Sequence, residues 1–207
     1  MLQAPKLDAS GKVKYSLHLN FDEMLLRIYE KLLEREIQKV PKHIVVVTNS
    51  IGEGFLNLAK WCRKFGVDEI TICGNTQIDE SFFDGFKLRI IRNGSVEEKD
   101  GLKPTINILT FTGREEIINV VRKVAKMVER GELEVDEVDE NLFEKFLTIK
   151  SPPDMIIKAG NDIPDFLIWQ GIYAELYFAD IDWQNLRYAD FLRILREYQR
   201  RERRYGR

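Results

Sequence analysis

The residues best suited to do chemistry stand in one strand-to-helix turn and at the basic end of the chain. Thr48-Asn49-Ser50-Ile51-Gly52-Glu53-Gly54 places glycines where a helical pattern begins. Backbone N–H groups at such a helix start can hold a phosphate. The turn is not a P-loop, because no Gly-Lys-Ser/Thr follows, and it is not Gly-x-Gly-x-x-Gly. Glu53 at the helix start would also repel an anion, so a plain tight βα turn is the stronger reading from the residues alone. His43 stands just before the turn's strand and reads as a structural hydrogen-bonding residue rather than a catalyst. No Ser–His–acid set and no cluster with metal-ligand spacing is present. The tail from Tyr198 to Arg207 is strongly basic. Arginine forks suit diphosphate oxygens, but cations at a helix end also complement its dipole. Composition leaves these two readings level.

The elements that must position these residues follow from periodicity. Met24, Leu25, Ile28, Leu32 and Leu33 recur at helical spacing between Phe21 and Val40, and Pro41 is expected to stop that helix. His43–Thr48 is β-branched on consecutive positions, which predicts a central parallel strand buried on both faces. A helix through Leu56, Leu58, Ala59, Trp61 and Phe65 ends at Gly66. Strands are expected at Asp68–Cys73, Phe86–Ile91, Thr105–Phe111 and Met155–Lys158. A long helix from Gly113 to Gly131 carries Ile117, Val120, Val121, Val124 and Met127 on one face. Val138–Leu147 and Leu186–Arg203 are further helices, and Trp169–Phe178 is apolar and aromatic. Strands alternating with helices predict an α/β fold, a single domain with a central, largely parallel sheet flanked by helices. Residues 1–20 read as a flexible N-terminal arm and residues 21–207 as the domain. In such sheets ligands collect beyond the carboxyl ends of the strands. The places to look are therefore Asn49–Gly54, the loop after Cys73, and Ala159–Asp165.

Bulk properties narrow the class. Of 207 residues, 44% are hydrophobic, enough for a real core. The 34 acidic and 32 basic side chains nearly cancel, so charge gives no reason to propose nucleic acid as a partner. Cys62 and Cys73 do not make a disulfide framework, and no apolar signal segment follows Met1, so a cytoplasmic location is expected. The apolar run Ile44–Val47 is too short to span a bilayer, which leaves only peripheral membrane contact, directly or through a partner.

The C-terminal half carries a resemblance. Ser151-Pro152-Pro153-Asp154-Met155-Ile156-Ile157-Lys158, Phe166-Leu167-Ile168-Trp169-Gln170, Tyr173-Ala174-Glu175-Leu176-Tyr177-Phe178 and Arg201-Glu202-Arg203-Arg204-Tyr205-Gly206 resemble the cis-prenyltransferase (undecaprenyl diphosphate synthase) family. Gly113-Arg114-Glu115-Glu116-Ile117 and Pro41-Lys42-His43-Ile44 are similar to its Gly-Arg-x-Glu-Ile and Pro-x-His-Ile segments. The resemblance implies that family's fold and its chemistry, the condensation of isopentenyl diphosphate onto an allylic diphosphate with Mg²⁺.

The resemblance also marks departures. The family's first strand ends in Met-Asp-Gly-Asn followed by an Arg, and its Asp carries the metal and diphosphate chemistry. That Asp falls on Asn49, and the Arg falls at or near Glu53. Only Gly74–Gly85 separates the second and third strands, too short for the two helices of the family's lipid tunnel. Lys158 replaces the family's first Arg, and Asn161-Asp162-Ile163-Pro164-Asp165 offers no second Arg and no Ser. The pattern resembles the non-catalytic Nogo-B receptor type of subunit, which pairs with an active cis-prenyltransferase. That likeness implies no metal and no catalytic residue in this chain, Mg²⁺ in the partner's site, and isopentenyl diphosphate bound through the complex. It implies substrate binding by Arg204, Tyr205 and Gly206, and an interface at Trp169, Tyr173, Glu175, Tyr177 and Phe178. A homodimer could form when the partner is absent. The alternatives are an active short-chain cis-prenyltransferase homodimer, with Mg²⁺ on Asp162, Asp165 or Glu53, and a non-enzymatic diphosphate-binding scaffold.

Overall fold

A computed structural model describes residues 21–49, 51–74, 80–92, 95–159 and 163–201. Its centre is β1 (His43–Val47), where Ile44, Val45 and Val46 are all buried. Side chains alternate across a strand, so Ile44 and Val46 enter one hydrophobic cluster and Val45 the other. A strand covered on both faces needs consecutive apolar residues, and the β-branched run supplies them. β1 pairs in parallel with β2 (Glu69–Cys73) on one side and β6 (Met155–Lys158) on the other. The full sheet has seven strands in the order β4-β3-β5-β2-β1-β6-β7. Here β3 is Phe86–Arg92, β4 Ser95–Lys99, β5 Leu102–Leu109 and β7 Glu175–Phe178. Every pairing is parallel except β3 with β4. This is the α/β fold with a largely parallel sheet that the sequence predicts.

One face of the sheet is covered by α2 (Glu53–Phe65) and α5 (Tyr188–Arg200), which share a core through Phe55, Leu58, Phe191 and Leu195. Each such buried side chain is worth about 1.5–3 kcal/mol. Gly66 closes α2 at φ +74, a left-handed conformation that favours glycine, with its N–H bonded to the last-turn carbonyls. The other face is covered by Ile149, Leu167 and Phe111. Beside them α3 (Gly113–Glu129) and α4 (Glu140–Phe146) enclose a small cluster of Val120, Val124 and Leu147. Thr112 and Glu115 form a capping box that starts α3. Both cysteines are free and buried, and burial raises both thiol pKa values.

The structure departs from the sequence expectations at several boundaries. α1 spans Phe21–Glu36 and ends short of Pro41. It leans on α5, where Tyr188 Oη donates to Glu34 Oε2 (2.9 Å). Leu33 is its only buried residue. On α3, Val121 is exposed, and Glu116 replaces it as a buried residue. The covering helix α4 is short and shields a narrow stripe. β4 was not expected, since all of its residues are exposed and its pattern is charged. Cross-strand pairs hold it: Arg89 with Glu98 (2.9 Å) and Arg92 with Glu97. Between β2 and β3 the described part is one 3-10 turn, Glu80–Phe83.

Candidate functional site

The parallel registers bring the turn after β1 and its neighbours to one end of the sheet. Val47 lies level with Cys73 on β2 and with Lys158 on β6, so Asn49, Gly74 and Ala159 leave the sheet side by side. The Thr48 N–H donates to the Cys73 carbonyl (3.0 Å). A Cβ at Gly74 would fall 1.8 Å from the Thr48 carbonyl oxygen and 3.7 Å from Asn49 Oδ1. Only glycine allows that approach, and it sets the Asn49 amide beside the second loop.

The glycines of the turn answer to packing. A Cβ at Gly54 would lie 2.1 Å from the Trp183 carbonyl oxygen. Trp183 also stacks on Phe55 with ring centroids 5.4 Å apart. Its segment is shaped by Asp182, whose carboxylate accepts the Gln184 N–H (3.0 Å) and the Asn185 N–H (3.3 Å). The Asn185 side-chain amide and these N–H groups hold the Asp182 carboxyl below the usual carboxylate range. Gly52 is the residue before α2 and offers no capping side chain. The first N–H groups of α2 are therefore positioned but not capped, the geometry of an anion site. Glu53 stands exposed on the same turn and opposes an anion.

A magnesium ion requires hard, anionic oxygen ligands. Asn49 supplies a neutral amide. Among the described residues, no three His, Cys, Asp or Glu side chains come together. Asp165 is turned to α3: its carboxylate pairs with Arg114 Nε (3.5 Å) and its carbonyl accepts the Gly113 N–H (2.8 Å). Asp162 lies outside the described residues, as do Arg204, Tyr205 and Gly206. The described donor set does not fit a magnesium ion.

The opposite story holds at β7, the outermost strand on that side of the sheet. α5 ends at Arg200 rather than Arg203, because Arg201 adopts an extended backbone. Its guanidinium Nη1 donates to the Leu176 carbonyl (2.6 Å) and lies 3.5 Å from the Glu175 carboxylate. It also lies over the Tyr177 ring, 5.7 Å from the centroid. Glu175 and Tyr177, both expected at an interface, thus seat the root of the tail. Tyr173 and Phe178 are exposed beside them. Trp169 packs on Phe143 at 4.5 Å, and its indole N–H donates to Glu144 (3.3 Å). Along with Ile168 and Ile172, Trp169 and Tyr173 line a groove of about 890 Å³ against α4. Gln170 at its floor donates to the Glu116 carboxylate (3.1 Å), while its Oε1 has no partner among the described residues.

Sequence reasoning read Arg201 only as one cation of the basic tail. Its task depends on β7 lying beside the end of α5, a long-range fact without a local signal. His43 is structural, as read: its Nε2 lies 2.7 Å from Thr71 Oγ1 and its Nδ1 3.1 Å from the Ser151 carbonyl. Burial pushes its pKa below the ordinary histidine value.

Comparisons with known proteins agree with this fold. Residues 89–206 match the family described as "Putative undecaprenyl diphosphate synthase". A curated relative from Methanocaldococcus jannaschii is named tritrans,polycis-undecaprenyl-diphosphate synthase (geranylgeranyl-diphosphate specific). It is 30% identical over 88% of this chain and 89% of its own length. That alignment runs over 249 positions against the 207 residues here, so the relative carries segments this chain lacks. Among solved structures, a "probable undecaprenyl diphosphate synthase" from Campylobacter jejuni superposes with a TM-score of 0.62 at 20% identity, covering 82% of this chain and 100% of that one. Lavandulyl diphosphate synthase from Lavandula x intermedia, in complex with dimethylallyl diphosphate, gives 0.63 at 20% identity, covering 81% and 99%. By the extent of these matches, the chain belongs to the undecaprenyl diphosphate synthase family of cis-prenyltransferases.

Proposed function

We propose that this chain is the non-catalytic subunit of a heteromeric cis-prenyltransferase that makes a polyprenyl diphosphate from isopentenyl and allylic diphosphates. Residues 21–207 form its cis-prenyltransferase-like unit, preceded by the arm 1–20. The observation that carries the reading is the neutral Asn49 amide at the end of β1, where the family's metal-binding aspartate falls. Ionising an allylic diphosphate requires its negative charge to be held and neutralised. A site with an amide in place of the carboxylate, and with Glu53 at the helix start, works against that. The Mg²⁺ that the family uses then belongs to the partner's site. Arg201, fixed on β7, starts the tail at the sheet's outer edge, and Arg204 follows within about 10 Å of chain. From there Arg204 and the backbone N–H of Gly206, with Tyr205 between them, reach a diphosphate in the neighbouring subunit. The exposed Tyr173 and Phe178, with Trp169, Glu175 and Tyr177, form the contact surface.

A second reading is favoured by the names of the relatives, which are those of catalytic synthases. In it the chain is an active prenyltransferase homodimer. Purified chain assayed alone with Mg²⁺, isopentenyl diphosphate and farnesyl or geranylgeranyl diphosphate separates the two. The subunit reading expects no turnover alone and strong turnover after co-expression with a complete cis-prenyltransferase from the same genome. Turnover by the lone chain would overturn it.

A further inference from the structure

A second cavity opens at the carboxyl end of the sheet, apart from the turn after β1. Ile91 on β3 lies level with Leu109 on β5, which lies level with Cys73 and so with Val47. β3 stands three strand positions from β1, about 14 Å away. Ligands of open α/β sheets collect at such strand ends. The cavity encloses about 390 Å³ between Arg92 at the end of β3, Phe111 just past β5, α3, and Phe146 and Thr148 at the end of α4. That volume suits a small ligand.

Its charges do not balance. Four cations line it: Arg92 from β3, and Arg122, Lys123 and Lys126 from α3. The three α3 cations are exposed and form no ion pair among the described residues. Lys123 Nζ lies over the Phe146 ring, 4.4 Å from its centroid, which holds its charge at the cavity wall. The one carboxylate in the lining is Glu116, which is buried. Both of its oxygens are engaged: Oε1 accepts the Thr148 N–H (2.8 Å) and Oε2 the Gln170 side-chain amide (3.1 Å). Arg92 pairs with Glu97 through Nη1, and its remaining donors have no partner among the described residues. Even with Glu97 counted, four cations face two carboxylates. The other acids of α3 lie outside the lining: Glu115 closes the capping box at Thr112, and Glu129 ends the helix. The excess is felt nearby. Burial pushes the Lys150 ammonium below the ordinary lysine value, and Lys123 adds to that push while Glu116 opposes it.

We propose that this cavity binds an oligophosphate, a soluble molecule carrying two or more linked phosphates. Linked phosphates present oxygens in two directions, so the Arg92 fork and the α3 cations bind them at once. A monovalent anion would meet one wall and leave the charge of the other unanswered. Free pyrophosphate and the phosphate chain of a nucleotide share this chemistry. A nucleoside would add contacts to the apolar lining of Phe111, Val120 and Phe146. The site uses no residue of the basic tail or of the turn at Asn49, so it stands under either reading of the function.

The test is a lysine footprint on the full chain, without Mg²⁺ and without prenyl substrates. Exposed lysines are acetylated with a water-soluble active ester, with pyrophosphate or ADP present, and each site is followed by mass spectrometry. Saturating pyrophosphate is expected to slow acetylation of Lys123 and Lys126 at least about fivefold. Lys60, exposed on α2 across the sheet, should react as before. The variant Arg92→Gln/Arg122→Gln keeps both reporter lysines and should abolish their protection. Arg122→Gln alone, which spares the Arg92–Glu97 pair, should raise the pyrophosphate needed about tenfold. Deleting Arg204–Arg207 should leave the protection in place. Equal protection by the two probes locates the binding in the phosphates; protection by ADP at about tenfold lower concentration assigns the ligand to the nucleotides. Unchanged reactivity of Lys123 and Lys126 with both probes overturns the proposal. Equal slowing by sodium sulfate at matched ionic strength does so too, since it shows screening only. Protection that survives Arg92→Gln/Arg122→Gln, or that vanishes with the tail, also overturns it.

Discussion

The two ends of the molecule that matter for chemistry have been treated differently. At the carboxyl end of β1 the backbone is closely packed, with Gly74 admitting the Thr48 carbonyl and Gly54 admitting Trp183, and the side chain there is the neutral Asn49 amide. At the β7 edge Arg201, Glu175, Tyr177 and Leu176 make a connected, charged seat. Close backbone packing and short-range hydrogen bonds hold the first region. The second orders charged groups, which has a cost.

That contrast can be broken or sharpened by experiment. On the proposed subunit reading, the largest effect is expected from deleting Arg204–Arg207: assembly with a catalytic partner, followed by size-exclusion chromatography, should be unchanged. Turnover of the complex should fall by roughly 10²–10³, the loss of a charge-stabilising donor. A truncated complex running at full speed would erase the difference between the two ends. Next comes Gly54→Ala, whose new methyl meets backbone rather than a flexible side chain. It should cost about 1–3 kcal/mol in urea denaturation, showing that the shape of the turn serves packing. Arg201→Ala removes a charge-assisted bond to the Leu176 carbonyl and should cost about 1–2 kcal/mol, since the side chain is partly exposed. It should also slow the complex less than the deletion does, because the tail loses its anchor but not its arginine.

Smaller still is a pH effect through His43. Burial holds its pKa below the ordinary value, so the folded chain keeps it neutral where the unfolded chain binds a proton. Its contribution is intact above about pH 6.5 and is lost as pH falls below that, with a slope of up to about 1.4 kcal/mol per pH unit. His43→Asn should flatten this part of the stability curve in denaturation series from pH 7.5 downward. The smallest change is expected from Asn49→Ala, which should leave the rate of the complex within about twofold. A loss of about a hundredfold would instead mean that Asn49 acts in catalysis, and would favour the synthase reading.

Much of the fold was legible because burial leaves a local trace. His43–Val47 announces a two-faced strand by its consecutive β-branched residues. Gly66 announces a helix end by the left-handed turn it permits. β4 left no such trace: it buries nothing, and only its pairing with β3 makes it a strand. The exposure of Val121 was equally hidden, since helical spacing fixes which residues share a face and not how wide the covering layer is. At the site, the turn Asn49–Gly54 could be placed because a strand end is marked in sequence, and the family resemblance singled out Asn49 within it. Arg201 could not, because its partners Glu175 and Leu176 come from a strand far away along the chain.

Cys62 and Cys73 sit on opposite faces of the sheet, each sealed from solvent and each a poor nucleophile as long as it stays there. An alkylating reagent can reach them only when the surrounding layer opens. The pair therefore provides two built-in reporters, one per layer, and a difference in their labelling rates would reveal which side of the sheet loosens first.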